Sequence, residues 1–309
     1  MEFVKNIKIA VLVGALLLVG LILSALVDVS VRPSRIAVEL ARIFSEEEVG
    51  EDVDDISYVS LASQVVPGTG IAVGARWGDM GKKLVNTGAI DLAKFEERYG
   101  GLNEDQMNIL QGDNVGEIVF RQDNIGFWTN VLWALGLTQK SKVLDEGPMV
   151  TKAEEVPVEN YASTSGWTLG TKEAMQLYSS ERFVELTGEE EDLVNKVAGN
   201  IFRPCCGNST AYPDCNHGMA VLGLLELMAA QGATEEEMYE ASLAFNSYAF
   251  ESTYINIAAH FDQEGVSWNS VDPAEVLSAG FSSGSGAAEI AQRVGDIPGA
   301  PKRGASCGA

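Results

Sequence analysis

Residues 9–27 carry no charged side chain and are dominated by Leu, Val and Ile. At about 1.5 Å of rise per residue such a helix is about 28 Å long, close to the hydrocarbon thickness of a bilayer. A cleaved signal peptide has an apolar region of only about 7–15 residues. No small-x-small cleavage site follows Ser24-Ala25, and no lipobox cysteine is present. The sequence therefore predicts an uncleaved membrane anchor over 1–28, with the membrane as partner through residues 9–27. Lys5 and Lys8 lie on the short N-terminal side. They favour a cytoplasmic N-terminus. Arg32 and Arg35 beyond the run weaken that bias without cancelling it. The bulk of the chain is then expected outside, in a periplasm or at a cell surface.

Charge narrows the partners of that outer portion. The 309-residue chain has 21 basic and 44 acidic residues, a net charge of −23. Such a surface repels phosphates, so nucleic acid is excluded as a partner. Solvation or adaptation to salt accounts for the acidity without a specific cationic partner. Nothing in the composition names a protein partner.

Periodicity predicts a mostly α fold: an N-terminal transmembrane helix followed by a compact helical ectodomain with irregular Gly-rich segments. A juxtamembrane helix and an acidic linker are expected over 29–56, and the ectodomain over 57–309. Segment 65–78, rich in Gly, Val and Ile, has no clear assignment. Asn103 and Gln106 are placed as a capping box, and residues 117–120 suit a short strand. Residues 124–137 are apolar on nearly every face, which predicts a buried helix. Ser163 to Gly166 is expected as a loop within an irregular stretch. A helix over about 189–201 leads into the cysteine segment, and a second over 216–231 follows it, stopped by Gly232. Thr234 and Glu237 form another capping box, opening a helix expected to run to about 262. Asp272-Pro273 starts a short helix. A turn at 282–286 precedes the last helix, 287–294.

The chemistry is concentrated in one place. Three of four cysteines and one of two histidines fall within thirteen residues: Cys205, Cys206, Cys215 and His217. The fourth cysteine, Cys307, is third from the C-terminal residue. Thiolate plus imidazole suits Zn, Cu or Fe. The eight residues between Cys206 and Cys215 can return both ends to one point. In an extended segment Cys215 and His217 share a side, because side chains alternate. A helix N-terminus at Cys215 would depress its thiol pKa. Asp214 and Asn216 are placed to orient the ligands. The spacing differs from the usual paired C-x₂₋₄-C or H-x₃₋₅-H, and adjacent cysteines reach one ion only across a sharp turn, which Gly207 would allow. Disulfides are the competing use of the same thiols outside the cytoplasm. One of Cys205 and Cys206 would then pair with Cys215 and the other with Cys307.

Over residues 204–218 the segment resembles the Pro-Cys-x-Cys-Gly-Cys motif family of secreted or lipid-anchored prokaryotic proteins. The matching residues are Pro204, Cys205, Gly207, Cys215 and His217. The alternating three-cysteine run and the lipobox of that family are missing here. The resemblance implies an extracytoplasmic metal or redox role. His260 is expected at a surface or helix end, and Glu226 is expected to face away from the cluster toward a polar partner or the rim. Met219, Met228, Trp128, Trp133 and Trp167 are expected in the core. No phosphate-binding Gly-Lys-Ser/Thr loop, Gly-x-Ser-x-Gly elbow or His-Glu-x-x-His helix occurs, and Asn208-Ser209-Thr210 is a glycosylation sequon by pattern only.

The function expected is thus a membrane-anchored, extracytoplasmic protein holding a soft or borderline metal through Cys205, Cys206, Cys215 and His217, with Cys307 as a replacement ligand. The alternatives are a disulfide-stapled surface protein with no metal and a metal-dependent enzyme using the same site.

Overall fold

Two apolar helices set the architecture. Ile125–Thr138 and Asn216–Ala230 are apolar around almost their whole circumference, and nearly all their residues are buried. They cross where Gly136 meets Gly223. A Cβ on Gly136 would lie 2.0 Å from the Met219 carbonyl oxygen, and one on Gly223 would lie 2.6 Å from the Gly136 nitrogen. Only glycine permits this backbone-to-backbone approach. The computed structural model describes residues 57–301. The anchor over 1–28, the linker over 29–56 and Cys307 all lie outside the described residues. Among the described residues no helix is long and apolar enough to cross a membrane.

The described chain is mostly helical, as expected. Around the central pair lie Gly188–Asn200, Glu235–Ala249 and a two-stranded antiparallel sheet of Ile71–Gly78 and Val115–Phe120. The first strand alternates cleanly in burial, with Val73, Ala75 and Trp77 inward, but the glycines at 70, 74 and 78, all at positive φ, give its sequence the look of a loop. Trp77, Trp128, Trp133 and Trp167 are buried in this core, with Trp77 edge-on to Trp128 and Trp133 edge-on to Trp167. A second apolar cluster joins Tyr58–Val65, Glu251–Gln263 and Gly284–Val294 through Leu61, Ile257, Phe261 and Ile290.

Several expectations need correction. The helix opened by the Thr234/Glu237 capping box ends at Ala249, and a new one runs Glu251–Gln263. Phe250 breaks it with φ −132° and ψ 45°, outside the helical basin. Ala162–Ser165 is a short helix rather than a loop, with Ser163 and Thr164 buried. The last helix begins at Gly284, because Ser283 caps it by accepting from the Gly286 N–H. His260 does lie in the last turn of its helix, but it is buried against Phe261 and Phe281. Glu226 reaches no rim. It is fully buried, and neither carboxylate oxygen has a partner in hydrogen-bond geometry. The helix that carries it is enclosed on all sides, so the face opposite His217 is core as well.

Candidate metal centre

Residues 201–215 form a closed loop between Gly188–Asn200 and Asn216–Ala230. Its base is a bridge between Phe202 and Ser209, reinforced by Thr210, whose N–H and hydroxyl both donate to the Ile201 carbonyl. The Asn246 amide donates to the Phe202 carbonyl, and the Phe202 N–H to the Leu277 carbonyl. At the far end the Gly284 N–H donates to the Cys206 carbonyl at 2.9 Å. The loop is therefore held by helices from both later parts of the chain.

A turn places the adjacent thiols. The Cys206 N–H donates to the Arg203 carbonyl at 3.2 Å, closing Arg203-Pro204-Cys205-Cys206 with proline at its second position. Proline fixes φ near the value that position requires. The sharp bend thus comes from Pro204; Gly207 does not take the left-handed conformation. Cys215 then caps the next helix. Its backbone is extended, with φ −125°, and its sulfur accepts from the Gly218 N–H at 3.4 Å.

These two devices bring three sulfurs together. The Sγ atoms of Cys205, Cys206 and Cys215 all lie within 4.8 Å of one another, and Cys205 to Cys215 is 3.7 Å. None of the three is bridged. Cys205 is exposed, and the other two are half-buried. No other described group of His, Cys, Asp and Glu side chains converges in this way.

His217 does not join them. The group whose ligand atoms are mutually within 4.8 Å contains the three thiols alone. Alternation between Cys215 and His217 fails because the helix starts at Asn216. A helix turns about 100° per residue, where a strand turns 180°. The imidazole instead packs tilted against Phe250 at 4.6 Å between ring centroids, with Phe245 at 6.4 Å. Burial lowers its pKa, with Arg203 pushing the same way and Cys215 opposing.

Beneath the thiols lies a residue the sequence reading did not single out. Arg203 is 0% exposed. Its guanidinium donates to Cys206 Sγ at 3.2 Å, Asp214 Oδ1 at 3.3 Å and Thr210 Oγ1 at 3.1 Å. Asp214 also accepts from the Asn208 amide at 2.8 Å, so its carboxylate is engaged by Arg203 and Asn208 rather than by a thiol. The guanidinium lies close against Gly218, where a Cβ would come within 2.7 Å of Arg203 Cζ. The signal was a lone arginine between apolar Ile201-Phe202 and the Pro-Cys-Cys turn.

The charges follow from these contacts. Hydrogen bonds from Cys205 and then Cys206 lower the pKa of Cys215, helped by Arg203 and the Gly218 N–H, against the opposing effect of burial. Cys205 is raised, first by its bond with Cys206 and then by its bond with Cys215. The bond from Cys205 lowers Cys206, but Cys215 and burial carry it net upward. Burial disfavours the charged guanidinium, yet the three thiols outweigh it and keep Arg203 protonated. The contacts thus favour the thiolate at Cys215 over those at Cys205 and Cys206, beside a buried guanidinium that stays charged. Ligation of a metal would deprotonate further thiols, and Arg203 would offset part of the charge that accumulates.

Comparison with known protein families, characterised proteins and solved structures gives no match.

Proposed function

We propose that this chain is a membrane-anchored, extracytoplasmic protein that binds one soft or borderline metal ion through Cys205, Cys206 and Cys215, to hold it or pass it on. The convergence of three unbridged sulfurs within 4.8 Å carries this reading. Metal–sulfur bonds of about 2.3 Å in tetrahedral array place sulfurs about 3.8 Å apart. The 3.7 Å between Cys205 and Cys215 fits that spacing. Thiols meeting at one point suit a single Zn or Cu ion better than an iron–sulfur cluster, in which each iron takes its own thiolate. Exposure of Cys205 leaves the ion within reach of a donor or acceptor. The apolar run over 9–27 supplies the tether.

Elemental analysis of the anaerobically purified full-length protein tests this reading. About one Zn or Cu per chain is expected. Cys206→Ser and Cys215→Ser should each lose most of it, whereas His217→Ala should keep it. Metal below a tenth of that level in the reduced wild-type protein, with no uptake from added zinc, overturns the reading. Membrane fractionation tests the tether: the intact chain should sediment with membranes, and a chain starting at Val29 should not.

A further inference from the structure

The same thiols have a second capacity that does not depend on metal. Cys205 and Cys206 cannot readily bridge each other. Their Cα atoms are joined by one trans peptide, about 3.8 Å apart, whereas disulfides need about 4.4–6.8 Å. Cys206 is also held in place, its sulfur by Arg203 at 3.2 Å and its carbonyl by the Gly284 N–H at 2.9 Å. Cys205 has no such restraint in its side chain beyond its contacts with the other thiols, and it is exposed at the tip of the turn. Cys215 lies directly behind it at 3.7 Å, on a rigid helix start. An exposed thiol with a second one set behind it is the arrangement that thiol–disulfide exchange needs: one sulfur for the substrate to reach, another to resolve the adduct.

We infer that Cys205 and Cys215 form an exchange-active dithiol that reduces low-mass or accessible protein disulfides, with Cys205 attacking and Cys215 resolving. The Cys215 thiolate takes the Cys205 proton, and the Cys205 sulfur bonds to one sulfur of the incoming disulfide as that S–S bond breaks. The first thiolate leaves and takes the proton back from Cys215. Cys215 sulfur then attacks Cys205 sulfur in the mixed disulfide and expels the second thiolate, which is protonated from water. The two cysteines give two electrons and one proton to the substrate and end as one disulfide. Cys206 and Arg203 remain outside the bond changes. A bound metal would occupy the same sulfurs, so the exchange belongs to the metal-free form.

The experiment uses the full-length protein in detergent, stripped by chelator and treated anaerobically with glutathione disulfide. Mass spectrometry should find two hydrogens lost and peptide mapping should join Cys205 to Cys215. Cys215→Ser should stop at a stable adduct of one glutathione on Cys205. Cys206→Ser should still form the Cys205–Cys215 bridge. Cys205→Ser should show at least tenfold slower glutathione release, a readout that stands even if Cys215→Ser folds poorly. A bridge through Cys206, or no reaction while the thiols remain titratable, overturns the inference. Zinc loading is measured on the same preparations. Loading without exchange overturns this inference alone, and exchange without loading overturns the metal reading alone.

Discussion

Gly218 occupies a position where a side chain has no room. A Cβ there would fall 2.7 Å from Arg203 Cζ and 2.8 Å from Nη2. Gly218→Ala should therefore push the guanidinium off its bonds to Cys206 and Asp214, and overpacking of this kind costs about 1–3 kcal/mol. Denaturant titration should show that loss together with weaker zinc binding. An unchanged midpoint and unchanged zinc affinity would refute the close packing of Arg203. Glu226 poses a different problem at the same scale. Burial raises its pKa well above the ordinary carboxylate value; Ser141 opposes the shift, and Glu191 adds to it. The folded state keeps this carboxyl protonated, while the unfolded chain ionises it near pH 4.5. Its contribution to stability is full below that value and is lost as pH rises through the raised folded pKa. Glu226→Gln should thus gain stability over wild type as pH increases and show little advantage near pH 4. Parallel pH profiles of the two thermal midpoints would contradict this.

At the scale of elements, the close contact of Ile125–Thr138 with Asn216–Ala230 is the feature most sensitive to change. Gly136→Ala would set a methyl 2.0 Å from the Met219 carbonyl oxygen, backbone that cannot yield without moving the helix. A loss of about 2–4 kcal/mol is expected by chemical denaturation. Gly126→Ala is the control, since a Cβ there meets nothing within 4 Å. These helices were legible because their apolar residues leave no polar face, and the second is bounded by Cys215 and Gly232. The capping boxes at Asn103, Thr187 and Thr234 form with both reciprocal bonds in place, and two of them were anticipated. What escaped was tertiary in origin. Phe250 breaks a continuous helical pattern beside the His217 ring, and Ser283 caps a helix whose first turn reads Gly-Ser-Gly. Within the site the thiols were legible as a cluster, whereas His217 was misplaced because alternation was applied to a residue that lies inside the helix starting at Asn216. Arg203 had a faint signal, a lone arginine beside the Pro-Cys-Cys turn, but its role shows only in contacts across the loop.

At the scale of the whole molecule, the thiol loop is completed from far along the chain. Gly284 N–H and Leu277 carbonyl hold Cys206 and Phe202. Gly284 is the first residue of its helix, a position that tolerates proline, and Ser283 before it is already extended with ψ 161°. Gly284→Pro should therefore keep the helix while removing the donor to the Cys206 carbonyl. A tenfold fall in zinc affinity, about 1.4 kcal/mol, is expected by competition titration with little change in helicity. Unchanged affinity would show that the clasp is irrelevant to the site. The clasp also has a vectorial consequence. Synthesis proceeds from the N-terminus, and a nascent chain that has just emerged through Ala230 carries Cys205, Cys206 and Cys215 but not the segment that clasps their loop. Under the metal reading, ion capture would wait on residues 277–284: a chain cut after Ala230 would retain all three thiols of the loop and still bind poorly.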